Sequence, residues 1–475
     1  MDEMNLFRSL SPLDHRYYLA NKELFSRLSD FLSEEASIRY CLLAESALIK
    51  AHAQFSSPQL QDLTQELDAL IAEIDPAEVY EEEAKTHHNI RALVNVLKRH
   101  IPQELSPFVH LGATSVDILD TSMAMRIRDS ARKVVLPLMM EIENILLDIA
   151  EREAETPQVG RTHGQHAVPI TFGYAVSEYV ARFGKCIAAI EEYSNDLRGK
   201  LAGAVGAYNS TTLLVKDPVE FEKYFLSQLG LKPSEYATQM VEPEYLLRLL
   251  TEINIAFGIL ANIADDLRNL QRSEIQEIQE LFTSDQVGSS TMPQKRNPWN
   301  SEHIKSLWKA FSPRVMTFYM DQISEHQRDL TNSASSRFIA EYISGFTAAL
   351  GRMKKVLSTL HVFSEKMRKN LLSTGDFVLA EAAYILLAAA GETEGHEIIR
   401  KATLEAEKSG KRMVDTLKEN PSLYKSLSEK LLEITGIDPE KFFTTPELYR
   451  GKSVEKTRTI VEQYKSAMSE IEEKL

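Results

Sequence analysis

Apolar side chains recur at Leu246, Leu249, Ile253, Ala256, Leu260, Ile263, Leu267 and Leu270. The spacing alternates three and four residues, which is the period of a helical seam packed against other helices. The pattern predicts one long helix starting after Pro243, a residue a first turn tolerates. It is expected to run on through Ile278 to Phe282, about 50 Å at about 1.5 Å per residue. A small globular domain cannot bury such a helix, so it implies a long bundle, an oligomer or both. A second seam runs through Val135, Leu138, Ile142, Ile145 and Ile149. Further helical stretches lie near 21–53, 170–197, 301–327, 338–370 and 376–408. No run alternates convincingly with period two, and no internal repeat is visible. The expectation is an all-α chain with an N-terminal helical unit over 1–109, a long-helix centre over 110–366 and a C-terminal helical unit over 367–475. The segments 101–107 (IPQELSP) and 371–376 read as connections.

Composition agrees. The chain has 475 residues, of which 19 are Gly and 17 Pro, well below the usual combined share of about 12%. Sheet-rich folds need more turns than that allows. The net charge of −15 carries no compensating basic stripe, which argues against nucleic acid as partner. The two cysteines, Cys41 and Cys186, exclude a disulfide framework and a CxxC-type zinc site, and fit a reducing compartment. The first residues lack a basic segment followed by an apolar one, and uninterrupted apolar stretches such as 384–390 fall far short of the roughly 18–20 residues of a membrane span. The expected location is the cytoplasm, away from membranes.

Four loops are too polar to be simple connectors. Residues 288–298 read GSSTMPQKRNP. The prolines and glycine preclude helix there, the Gly-Ser-Ser backbone can offer N–H groups to an anion, and Lys295 adds charge. A solvated loop leading into a helix cap near 300–301 is the ordinary alternative. Residues 160–166, GRTHGQH, flank a histidine with glycines before a new helix. His163 suits general acid or base work, and Arg161 with the helix start suits an anion. A capped turn with a satisfied histidine is the alternative, and no third ligand supports a metal at His163 and His166. His110-Leu-Gly-Ala-Thr114-Ser115-Val-Asp117 fits a capping box that also suits a carboxylate or phosphate. The fourth, 326–337, carries Arg328, Ser333 and Arg337, with arginines placed for bidentate anion binding or, equally, for a hydrated turn. Two weaker segments are 86–89 (THHN) and 11–17 (SPLDHRY). There is no P-loop, Rossmann glycine pattern, HExxH or GxSxG. What remains is acid–base chemistry on an anionic small molecule, without cofactor or metal.

The segment Ser-Ser-x-Met-Pro-x-Lys-x-Asn at 289–297 resembles the shared loop of the fumarase/aspartase superfamily, whose members are mostly homotetrameric all-α lyases that release fumarate. TSVD at 114–117 and RTHG at 161–164 resemble its other shared regions, in the expected order. Within it, SPLDHRY, RTHGQ and QRDLTNS at 327–333 are most similar to the adenylosuccinate lyase family. That resemblance implies a carbon–nitrogen lyase of purine biosynthesis that cleaves adenylosuccinate to AMP and fumarate, and SAICAR to AICAR and fumarate. It casts Ser289 as general base, with Ser290 the alternative, and His163 as general acid. It places Lys295 and Asn297 against the developing dianion, with His88, Asn89 and His110 near the substrate. Arg16 and Tyr17 hold the nucleotide end. Thr114, Ser115 and Gln239 contact carboxylates or ribotide, and Arg328, Ser333 and Arg337 the phosphate or its neighbours. It also implies sites shared between subunits of a homotetramer with a long-helix core.

The chain departs from the family pattern in places. Asn89 stands where an Asp usually follows the histidine, His87 replaces a common Asn, and His303 stands where Asn is frequent. Competing readings are another lyase of the superfamily, such as argininosuccinate lyase or a carboxymuconate cycloisomerase, and a non-catalytic structural protein on the same scaffold. Retention of Ser289, Lys295, Asn297 and His163 speaks against the last.

Overall fold

The computed structural model describes residues 6–281, 291–292, 294–329 and 331–475. In chain order the helices that shape it are α1 (Glu34–Phe55), α2 (Asn89–His100), α3 (Ser115–Ser130), α4 (Leu136–Arg152), α5 (Phe172–Asn195), α6 (Glu244–Leu270), α7 (Trp299–Phe311), α8 (Ile339–Ser358), α9 (Ala380–Ala389), α10 (Gly395–Ser409), α11 (Pro421–Thr435) and α12 (Ser453–Glu472). The fold is all-α, as the periodicity predicts. One hairpin, β1 (Pro157–Thr162) with β2 (Gln165–Thr171), interrupts the helices between α4 and α5.

The predicted seam is the middle of the molecule. Leu249, Ile253, Ala256, Leu260, Ile263 and Leu267 are buried, and Leu246 and Leu270 are partly so. Helix α6 packs on α5, α7 and α8, while α4 packs on α5 and α8. Among the described residues α6 is the one helix long and apolar enough to cross a membrane by length and composition alone, although no uninterrupted apolar run reaches that length. Its burial against three neighbours makes it a core helix instead.

Helix α6 stops at Leu270, short of the expected 282. The next seam position is Glu274, so the apolar stripe ends where the helix does. Gln276 then takes a left-handed conformation, and Ile278–Gln279 turns away to pair antiparallel with His361–Val362. The helix has 27 residues, about 40 Å at about 1.5 Å each.

One apolar core takes in α1 and α2, the bundle, and side chains of the last helix, Val461, Tyr464, Met468 and Ile471. A second, smaller core lies between α9, α10 and α11, and Val159 of the hairpin enters it. Helix α12 therefore returns past the second core to pack on α4 and α5.

Glu143 of α4 is fully buried in the bundle, and neither carboxyl oxygen has a hydrogen-bond partner. Burial pushes its pKa well above the usual carboxylate range, so the folded protein holds it as a neutral acid. A carboxyl whose pKa is higher folded than unfolded must take up a proton on folding once the pH exceeds its unfolded value. Its cost is therefore absent in acid and grows as pH rises toward the folded-state pKa. Glu143→Gln should unfold like wild type near pH 4 and become progressively more stable than wild type as the pH rises to 8. Thermal melts of both proteins across that range check this, and a difference independent of pH would refute it.

Candidate active site

The loop carrying His163 is the tip of the hairpin. Thr162 pairs with Gln165, leaving His163 and Gly164 as a two-residue turn. Both have positive φ, 56° and 74°, the pattern of a type I′ connection, which only glycine adopts without cost. His163 is exposed there and projects from a rigid mount. The mount is electrostatic. Arg161 donates to both oxygens of Glu277, with Nη1 to Oε2 at 3.1 Å. Gln158 Nε2 donates to Glu277 Oε2 at 2.8 Å and Asn370 Nδ2 to Oε1 at 2.9 Å. Glu277 is fully buried. Arg161, which the sequence leaves open as an anion ligand, is thus an anchor of the hairpin. His166 is tied through Nδ1 to the Thr374 hydroxyl at 2.7 Å, and burial, then Arg161, lowers its pKa.

At the other end of the bundle, Thr114 and Asp117 form the expected capping box at the start of α3, with the Thr114 N–H donating to Asp117 Oδ2 at 2.8 Å. Asp117 also pairs with the fully buried Lys200 and accepts the Ala202 N–H at 3.1 Å. Ser115 is the first residue of the helix. Just before it, His110 has φ 59° and is clasped by Glu45, whose Oε1 meets Nδ1 at 2.7 Å and whose Oε2 accepts the His110 N–H at 2.9 Å. Glu45 is fully buried, so it fixes both ring and backbone and leaves Nε2 to face outward chemistry.

The loop after Lys200 crosses this end. Gly206 lies so close to Ala237 that a Cβ would sit 1.8 Å from its carbonyl oxygen. From there the Gln239 N–H donates to the Gln327 carbonyl at 3.3 Å, and Val241 N–H to Asp120 Oδ2 at 2.9 Å. Asp120 is buried, and its pKa is pushed up to about 6, chiefly by desolvation. Gln239 and the 327–333 segment therefore meet. Arg328, however, turns inward: its Nη atoms donate to the carbonyls of Gln322 and Asp321 at 3.0 and 2.9 Å. Ser333 and Arg337 are exposed beside it.

A third group sits at the C-terminal end of α6. An open cavity of about 960 Å³ is bordered by Arg268, Arg272, Lys295, Arg296 and Lys366, with Glu302 as its acid, and Asn297 also lines it. Arg268 and Arg272 are ion-paired with Asp265 and Glu274, so the cavity's positive charge rests mainly on Lys295, Arg296 and Lys366. Nearby, at the start of α7, His303 Nε2 meets the Tyr17 hydroxyl at 2.9 Å. Arg16 is exposed next to it. Ser289 and Ser290 lie outside the described residues. His88 caps α2 through Nδ1, which accepts the Arg91 N–H at 3.2 Å, and Asn89 Oδ1 accepts the Ile90 N–H at 2.8 Å.

The site residues thus fall at two ends of one helix. Gln239 and Val241 precede the first turn of α6, whereas Glu277, the hairpin and the cation-lined cavity follow its last turn. About 40 Å of helix separates them.

A long-helix bundle with acid–base and cationic loops at both ends is the architecture of a fumarate-releasing lyase, and a family model described as Lyase matches residues 16–310. A second, described as Adenylosuccinate lyase C-terminal, matches residues 324–442. The chain belongs to the adenylosuccinate lyase family of the fumarase/aspartase superfamily. It is 33% identical over 474 residues to an adenylosuccinate lyase of Pyrococcus abyssi, covering 98% of this chain and 99% of that protein. It is also 33% identical to the enzyme of that name from Pyrococcus horikoshii, over 96% and 98%. A fumarate lyase from Mesorhizobium sp. BNC1 has the same fold, with TM-score 0.78 at 22% identity over 92% of this chain and 97% of that one.

Sequence patterns did not expose Glu45 or Glu277. Each lies far along the chain from the group it holds, 65 residues from His110 and 116 from Arg161. Removing one partner of a buried ion pair strands the rest. Glu277→Ala should destabilise the protein by about 3–5 kcal/mol, and should lower turnover more than Arg458→Ala, which breaks the exposed pair with Glu155. Denaturant melts together with kcat measure both, and an unchanged kcat in folded Glu277→Ala would show that the hairpin needs no anchor.

Proposed function

We propose that this chain cleaves adenylosuccinate to AMP and fumarate, and SAICAR to AICAR and fumarate, with Ser289 as base and His163 as acid, and that it works as a cytoplasmic homotetramer. The reaction removes a proton from the carbon next to a carboxylate. The electron pair left behind spreads into that carboxylate as a dianion, then forms the carbon–carbon double bond as the carbon–nitrogen bond breaks. The departing nitrogen collects a proton. A Ser hydroxyl is too weak an acid to serve unaided, so donors and cations at the bound substrate must stabilise its alkoxide. Lys295 and Asn297 stand to meet the dianion beside the other cations of the cavity. His163, at its exposed turn, delivers the proton to nitrogen. Arg16 and Tyr17 take the nucleotide end, His88 and His110 lie near the substrate, Thr114, Ser115 and Gln239 contact the succinyl carboxylates or ribotide, and Arg328, Ser333 and Arg337 the phosphate or its neighbours.

The observation that carries the shared-site reading is the separation along α6. Residues about 40 Å apart in one chain cannot touch one substrate. Antiparallel copies of a long bundle bring opposite ends together and bury further apolar surface.

Purified protein with adenylosuccinate should show loss of the succinyl-purine absorbance, and argininosuccinate should stay intact. Ser289→Ala and His163→Ala should each fall by about a hundredfold or more. Mixing inactive His110→Ala and Lys295→Ala proteins, altered at opposite ends of α6, under conditions of subunit exchange should restore part of the activity. Exchange without any rescue would refute sites assembled from different chains, and no turnover by folded wild-type protein would refute the substrate.

A further inference from the structure

The start of α7 holds a group that the proposed chemistry does not use. His303 is half-buried, its Nε2 is 2.9 Å from the Tyr17 hydroxyl, and the two rings lie 5.8 Å apart at 36°. Arg16 comes from the same N-terminal segment as Tyr17. Arg352 reaches in from α8, its Nη1 donating to Asn300 Oδ1 at 2.8 Å and its guanidinium lying 5.0 Å from the Trp299 ring centroid. Of the acids around this helix start, Glu302 is exposed on the cavity side, and the buried or half-buried ones are engaged. Glu280 accepts from the Ser301 N–H at 2.9 Å and the Asn300 side chain at 2.9 Å. Asp265 of α6 is paired with Lys305. The charges that act on the imidazole are therefore the two guanidiniums.

We propose that His303 is a positioning residue for the phosphate end of the substrate: it holds the Tyr17 hydroxyl and, when a phosphate docks against Arg16 and Tyr17, takes up a proton and becomes a further donor of that site. The inference rests on the assignment of Arg16 and Tyr17 to the nucleotide end, and takes the phosphate as the group of that end that meets them. In the free protein burial, then Arg352, then Arg16, depresses the His303 pKa, so the ring is neutral near pH 7. A phosphate dianion reverses the sign of the local field and favours the imidazolium. Binding is then coupled to proton uptake, and affinity for the anion strengthens as pH falls from the bound-state toward the free-state pKa of the ring. Asn, the residue frequent at this position in the resembled family, can bond to Tyr17 but cannot make this response.

The probe is AMP as a competitive inhibitor, its inhibition constant measured from about pH 6.5 to 8.5, above the phosphate's own second ionisation near pH 6. Wild-type protein should bind AMP about tenfold more tightly at the acid end than at the alkaline end, the effect of about one pKa unit of coupling. His303→Asn and His303→Gln should both lose that slope, and His303→Lys, charged throughout, should bind with little pH dependence. Arg16→Ala separates the two layers of the argument. If it leaves the AMP constant unchanged, the phosphate assignment fails and takes the proposal with it. If Arg16→Ala weakens AMP while His303→Asn keeps the wild-type slope, the assignment stands and the role of His303 is refuted. Melting temperatures near wild type for the three His303 variants exclude unfolding as the cause.

Discussion

The structure depends first on burying the apolar stripe of the long helix. An amphipathic helix of 27 residues must be covered along its whole length, and α5, α7 and α8 do so within the chain. That demand fixes the length of the bundle, and the length fixes how far apart its two ends lie. Every loop of chemical interest is attached at one end or the other. The same constraint that stabilises the fold therefore sets the two groups of polar loops about 40 Å apart within one chain.

Loops at the ends of a bundle are intrinsically loose, because few apolar contacts reach them. Here buried carboxylates do the fixing. Glu45 holds His110 by ring and backbone, Glu277 gathers Arg161, Gln158 and Asn370 under the hairpin, Asp117 ties the start of α3 to Lys200, and Glu280 receives the first N–H groups of α7. Each acid has several donors, which is what a buried charge requires. Glu143 is the contrast: equally buried, without a donor, and hence neutral. The excess of acidic residues is therefore partly structural, while Lys295, Arg296 and Lys366 line the cavity together with Arg268 and Arg272, which pair with Asp265 and Glu274.

Much of this was legible in the sequence, for identifiable reasons. Seams repeat, so the buried faces of α4 and α6 could be read residue by residue. The capping box at Thr114 is local and carries its own signature. The 289–297 segment is specific enough to identify a family. The hairpin was not legible, because its strands are short, one is interrupted by a bulge between Val159 and Arg161, and His163-Gly164 reads equally as a capped turn. The extension of α6 beyond Leu270 came from counting Ile278 into a stripe that Glu274 had already ended. The anchoring carboxylates were invisible because nothing local marks an acid as the partner of a distant histidine or arginine.

The hairpin shows why such illegible features belong to the site and not to the core. A helix could have carried a histidine from α4 into α5 without strain, yet the chain spends a two-residue turn with a non-glycine left-handed residue to expose His163 at a tip. A side chain on a helix face shares its surroundings with neighbours three and four residues away, whereas a residue at a tight turn stands clear of them. The cost of that conformation is met by the pairing of β1 with β2 and by the Arg161–Glu277 anchor below it. A side chain presented at such a tip combines projection with rigidity, and the same physical reason makes its local sequence look like an ordinary turn.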